Sequence, residues 1–336
     1  VTRNRRNRLI VAVAVPLVLV AIIYAIVWQA LADRWRTGMA QWIASAAASG
    51  WTISTGAVTV SGFPGALRLS LLEPMAADAA GNRWQGPPAA ILVSPFEPLT
   101  PRFEAPGRHL IAMSGRAPIE ITAESLGGRL AIEHGTPIGL WLAGTKLAGL
   151  GMALEGLTLE AHRPPAPTAE GQIPIALAAT LGLDRLTVPE TLRVPFGRTV
   201  VAAHLAIRLR GDLPKGATAS ALAEWRDGGG TLEIDSLDIG WPPMAAAGNA
   251  TVALDKSLQP ELAGTVTVRG GGGVIDRAGA AGMIKPEAAV VAKLALAAAS
   301  KPAGDGAPEA KVAIGIQNRV LSVGSVPVLQ LPEVTW

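Results

Sequence analysis

The chain has no cysteine, one tyrosine, four phenylalanines and four histidines in 336 residues, and only 16% of it is charged. Without cysteine there is no disulfide framework, no thiolate metal site and no cysteine nucleophile. His109, His134, His162 and His204 are dispersed and show neither H-x-x-x-H nor H-x-x-E-H spacing, so they do not gather metal ligands on one helix. No serine sits in G-x-S-x-G or S-x-x-K, the common nucleophile contexts. The glycines at 270–273 precede a predicted helix but lack the P-loop lysine and the G-x-G-x-x-G order, and they read as a turn. Glu233, Asp235 and Asp238 form the densest acidic run, the first two on one strand face. A solvated face explains them better than an acid and base pair, which has to converge in a pocket. Neither catalysis nor a cofactor is expected.

Charge is also unevenly placed. The formal net charge is +3 and the pI about 9.5, yet residues 1–32 hold four arginines and no acid, which leaves a balance of −1 for the remainder. That removes nucleic acid as a partner. Arg3, Arg5, Arg6 and Arg8 are followed by Leu9–Trp28, a run of 20 residues without a charge. As a helix it is long enough to cross a ~30 Å hydrocarbon core. A basic stub before such a run stays in the cytoplasm and sends the rest of the chain across. Ala30-Leu31-Ala32 has the A-x-A form of a signal-peptidase site, but the apolar run exceeds the 7–15 residues usual for a signal core, which favours an uncleaved anchor. The expected division is therefore a cytoplasmic stub at 1–8, a transmembrane anchor at 9–31 bounded by Trp28, a linker helix at 32–50 and a β-rich region at 51–336.

Trp28, Trp35 and Trp42 are spaced by seven and Met39 lies between the last two, so on a continuous helix they share a stripe. Trp35, Met39 and Trp42 make a docking face or, more commonly for such a stripe, pack on the first sheet. Gly38 weakens the case for one rigid helix, and Gly50 suits a helix end.

Beyond it, abundant glycine and proline (38 and 26 residues) punctuate short aliphatic runs. The fold class is mainly β with a few packed helices: an N-terminal transmembrane helix, then a large curved antiparallel sheet or sandwich. A hairpin is predicted around Gly62-Phe63-Pro64-Gly65, with Leu67, Leu69 and Leu71 on one face and Arg68 and Ser70 on the other. Separate strands are predicted at 151–155 and 157–161, and an extended loop or a sheet edge at 94–107. Thr218 caps a short helix, a bulge falls between Ile234 and Leu237, and Asn318-Arg319 turns a final hairpin. The prolines at 164, 165 and 167 mark 163–172 as an internal boundary or long loop. Several strands, such as 173–180 and 138–142, are apolar or small on both faces. Either other layers cover both faces, or one face forms an apolar groove for acyl chains.

The anchor, the tryptophan-bearing helix, the Gly62-Phe63-Pro64 hairpin, the block GNATVALDKSLQPELAGTVTVRG, the two helices after it and the ending IGIQNRVLSVGSVPVLQLP resemble the bacterial family known as domain of unknown function 2125. The block and the ending are also similar to repeats of AsmA-like envelope proteins. The resemblance implies an inner-membrane, single-pass protein with its bulk in the periplasm, and no catalytic residues to carry over. Its implied partners are the inner membrane, a phospholipid or other envelope lipid, and, as the alternative, an envelope protein docked on a non-catalytic scaffold.

Overall fold

The computed structural model describes residues 2–165, 173–192, 194, 197–214, 218–280, 286–302 and 308–336; for residues 2–13, 278, 288, 291, 292, 295, 299 and 302 only the backbone is considered. The expected fold class holds: the chain is mostly antiparallel β, with four helices among the described residues, the first of them N-terminal and apolar. It divides into two compact units, Val1–Gly135 and Thr136–Trp336.

Helix α1 (Thr2–Ala48) is continuous through Pro16 and Gly38, so the anchor and the expected separate linker helix are one element. The reason lies in its second half: Trp28, Ala32, Trp35 and Met39 recur at helical spacing and pack together on a sheet, which holds the backbone straight across Gly38. The helix stops in a Schellman motif. Gly50, at φ +84°, donates to the Ala47 carbonyl and Trp51 donates to that of Ala46, a conformation that favours glycine.

The first unit carries two five-strand antiparallel ladders whose strands alternate along the chain. One joins β1 (Thr52–Ser54), β4 (Met75–Ala77), β5 (Arg83–Gln85), β8 (Gly107–Ala112) and β9 (Ile119–Ala123). The other joins β2 (Val58–Ser61), β3 (Leu67–Leu71), β6 (Ala89–Val93), β7 (Arg102–Glu104) and β10 (Ser125–Glu133). The predicted hairpin is β2–β3; β7 lies inside the stretch expected to be loop or sheet edge. The alternation in β3 decides the core: Leu67 and Leu69 are fully buried with Val93 against Trp28 and Ala32, while Arg68 points to the other side.

The β4–β5 connection shows local chemistry at work. Asp78 accepts from both the backbone and the side-chain amide of Asn82, at 2.9 and 2.8 Å, and these hydrogen bonds hold its pKa below the ordinary 3.8. The turn's stabilisation by this carboxylate is complete above the unfolded value and is lost as pH falls through the lower native one. In thermal melts of the full chain in detergent, Asp78→Asn is therefore expected to lower the midpoint at neutral pH. The gap to the unsubstituted protein should close as the pH is taken from about 5 to about 2.

The second unit is a meander. Strands β11 (Thr136–Gly149), β12 (Met152–His162), β13 (Ile175–Thr187), β14 (Thr199–Arg210), β15 (Thr231–Trp241), β16 (Met244–Leu254) and β17 (Pro260–Arg269) each pair antiparallel with the next. Helix α2 (Ala219–Asp227), capped by Thr218, lies between β14 and β15. After β17 the chain forms α3 (Gly271–Ala280), α4 (Pro286–Ala299) and β18 (Ser300–Pro302). It then returns as β19 (Pro308–Gln317) to pair with β17, followed by β20 (Val320–Val323) and β21 (Val326–Gln330).

The bulge falls between Ile234 and Leu237 as expected, and Asn318 and Arg319 both take positive φ, 49° and 63°, in a two-residue turn. The two strands predicted at 151–155 and 157–161 are instead the single β12. Gly156 does not end it, because the ladder to β13 continues past it at Gly156↔Asp184. Of the expected boundary at 163–172, residues 166–172 lie outside the described residues; β12 and β13 on either side of it pair with each other.

Candidate functional site

Cross-strand partners in an antiparallel ladder point to the same side of the sheet, so the registers of the second unit can be read as rows. One row runs from Leu142 through Leu159, Leu181, Leu205 and Leu237, past Gly248, to Val266 and Val312. Every side chain in it is aliphatic across eight strands. At about 4.8 Å per strand the row is roughly 34 Å long. The next row on that side is alike, with Leu157, Leu183, Ala203, Ile239 and Val268.

An apolar row of this kind is normally the inside of a core, yet all seven of its aliphatic residues are only partly buried. Among the described residues, Val188, Val200 and Ala310 are the buried hydrophobic residues of the second unit, against seven in the first. Helices α3 and α4 reach one end of this side: Leu296 and Val268 both lie beside Gly271, and Ala310 is 1% exposed. The central leucines remain partly open to solvent.

The opposite side is polar. The row beside the leucines contains Thr158, His204, Asp238, Thr267 and Lys311. Further along, Arg208 makes a two-point contact with Asp235 on the bulge and lies 3.3 Å from Glu233, which also takes Arg210 at 2.6 Å. Donating to the Asp235 carboxylate raises the Arg208 pKa above its ordinary value. Glu233 and Asp235 share the arginine side, as their i, i+2 spacing on one strand face predicts, and both are spent on cations rather than on each other. A shallow cavity of about 380 Å³ lies over this network and another of about 420 Å³ over His204, Asp238, Arg269 and Glu309. Both are open; the first is polar, whereas the second is lined mostly by alanines, and Arg269 and Glu309 close an ion pair at 2.8 Å.

The histidines do not meet. His109 is buried, its Nε2 3.0 Å from the Ala105 carbonyl and its ring stacked on Trp84; His134 is exposed in a turn, His162 lies 3.9 Å from Glu160, and His204 faces Asp238 across β14 and β15.

The structure divides the tryptophan stripe. Trp28, expected at the membrane boundary, is 7% exposed and donates from Nε1 to the Gly65 carbonyl at 3.0 Å. Trp35 and Met39 pack partly buried on the same cluster, whereas Trp42 is 59% exposed. Of the candidate docking residues Trp42 alone presents most of its surface. The side chains of Arg3, Arg5, Arg6 and Arg8 lie outside the described residues.

One cluster escaped the sequence reading. Tyr24, one turn before Trp28, donates to the Pro64 carbonyl and its ring lies 6.2 Å from Phe63 and 6.4 Å from Phe96, while Trp28 meets Phe63 edge-on at 5.6 Å. Phenylalanine is rare here, and two of the four sit at glycine- or proline-rich loop tips where no core was expected. That was the available signal.

Among the described residues α1 is the helix long and apolar enough to cross a membrane. Comparison with curated proteins and with solved structures returns no match. A family model does match, over residues 28–332, which takes in both units and the part of α1 that packs on the first. The chain accordingly belongs to the bacterial family described as "Uncharacterized protein conserved in bacteria (DUF2125)".

Proposed function

We propose that the chain is a single-pass inner-membrane protein, its N-terminus cytoplasmic and its bulk periplasmic, that binds or passes phospholipid acyl chains along the aliphatic side of its second unit. No chemical step is involved; removing acyl chains and leucines from water drives the binding. The observation that carries this reading is the Leu142–Val312 row, apolar on all its positions and nowhere fully buried. At roughly 34 Å it exceeds the ~15 Å depth of one bilayer leaflet, so it has room for whole chains. The basic stub before the apolar run supports the orientation. The likeness of residues 248–270 and 314–332 to AsmA-like repeats, found in proteins proposed to handle lipids, points the same way.

The test is a photo-crosslinking amino acid placed in cells at Leu205 and, separately, at His204, its neighbour on the opposite side. Phospholipid adducts at Leu205 and few at His204 are expected. Equal labelling of the two positions would remove the assignment. A protein adduct at either position, or at the exposed Trp42, without lipid would favour the scaffold alternative.

A further inference from the structure

The aromatic cluster around Tyr24 joins the apolar half of α1 to two loops of the first unit. Leu9–Trp28 reaches about 30 Å as a helix, the thickness of the hydrocarbon core. Tyr24 precedes Trp28 by one turn, so the loops that touch it are held about 6 Å inside the far end of that span. Those loops are 62–65 and 94–101. Phe63 is 56% exposed, Phe96 83%, and Leu99 is exposed beside it. Large apolar side chains left in water on two loops that both reach one helix form a patch suited to another apolar phase. Aromatic rings in particular favour the membrane boundary.

A second feature lies just behind the tips. The registers Ser61↔Arg68, Arg68↔Leu92, Leu92↔Arg102 and Arg102↔Arg129 place three arginines in the row nearest both loops. All three are exposed, on the side away from Leu67 and Leu69; Arg68 shares the Glu104 carboxylate at 3.5 Å. Guanidinium groups recognise phosphate through paired N–H donors. A cationic row set behind apolar tips matches the order of phosphate and acyl layers, which are separated by an interfacial zone of about 5–7 Å. Loop 94–101 contains one acid, Glu97, whose carboxylate is 3.4 Å from the Thr100 hydroxyl. Its tip is shaped by Ser94, which accepts from the Phe96 amide at 3.2 Å.

We propose that this edge of the first unit docks on the bilayer surface next to the anchor. Phe63, Phe96 and Leu99 enter the acyl boundary, and Arg68, Arg102 and Arg129 bind phospholipid phosphates. The unit is thus held to the membrane by its loops as well as by its helix. The inference rests on α1 spanning the bilayer, which is part of the functional reading above, but not on lipid binding by the second unit.

Because the chain has no cysteine, single reporters can be placed in the full-length protein. An environment-sensitive fluorophore is attached through Phe96→Cys, Leu99→Cys or Val18→Cys. Each protein is reconstituted in phosphatidylcholine and phosphatidylglycerol vesicles containing lipids that carry a quencher near the headgroup or at mid-chain. All three positions are exposed, and retained melting midpoints check that the labelled chains fold. The labels at 96 and 99 are expected to lose more than half their emission to the shallow quencher, and the label at 18 to the deep one. Quenching at 18 with none at 96 and 99 would overturn the docking edge and leave the anchor standing. No quenching at 18 would instead remove the span on which it rests. Adding Arg102→Glu is expected to weaken quenching at 96 while leaving 18 unchanged; an unaltered signal at 96 would refute the phosphate contacts.

Discussion

Trp28→Ala is expected to destabilise the first unit by about 3–5 kcal/mol, the usual cost of truncating a buried tryptophan. The indole is 7% exposed, donates to the Gly65 carbonyl and meets Phe63 edge-on, and one turn later Ala32 has no exposed surface at all. Losing it opens a cavity between α1 and β3 and leaves that carbonyl without its donor. Trp28→Phe separates the two effects: it keeps much of the apolar contact and should cost about 1–3 kcal/mol, the penalty of the lost hydrogen bond with some loss of volume. Ala32→Leu should destabilise by a similar amount for the opposite reason, since there is no space for the added carbons against Leu67 and Leu69. Hydrogen exchange of β3 and β6 in detergent reads the result directly. If Trp28 served only as a membrane-boundary residue, exchange in these strands would be the same in Trp28→Ala as in the unsubstituted chain.

The outcome matters because it makes the second half of α1 part of a folded unit. Cleavage after Ala32 would remove Tyr24, Trp28 and Ala32 together, three contacts that the hairpin at 62–65 and β3 depend on. Of the A-x-A form at 30–32, Ala32 is the residue needed in the core, while Ala30 is exposed.

Local signals were readable wherever a few neighbouring residues decide the geometry. Alternation in Leu67–Leu71 assigned the core face of β3, Thr218 announced the start of α2, the phase slip after Ile234 marked the bulge, and Asn318-Arg319 marked the last turn. Decisions made at long range were not. Nothing near Gly38 says that a sheet 30 residues later will hold α1 straight, and nothing in β1 or β2 says that they join different ladders. The candidate site falls between these cases. Each strand of the second unit revealed its aliphatic positions, but whether another layer covers them is not written in any one strand. Only the registers of eight strands, aligned, show that the leucines form one row, and only their exposure distinguishes a surface from a core.

The row makes the second large prediction. Leu205→Glu combined with Leu237→Glu is expected to lower affinity for a fluorescent acyl-chain analogue by at least about a hundredfold, roughly tenfold per position. An acyl chain covering a leucine gains about 1.5–3 kcal/mol, and 1.4 kcal/mol is a factor of ten. The two positions are cross-strand partners at the centre of the row, so both carboxylates enter the same stretch of the path. Because both leucines are only partly buried and open on one side, the fold should survive. Like charges directly opposite each other weaken a strand pair by about 0.2–1 kcal/mol, a modest loss for a sheet of this size. Binding should therefore fall far more than stability. His204→Ala with Asp238→Ala is the matched control, since that pair is the next one along the same two strands and faces the other way. It should leave acyl binding unchanged. Equal losses from the two double variants would mean that the sheet had been damaged generally. Undiminished binding in the glutamate variant would show that the leucine row is not where acyl chains lie.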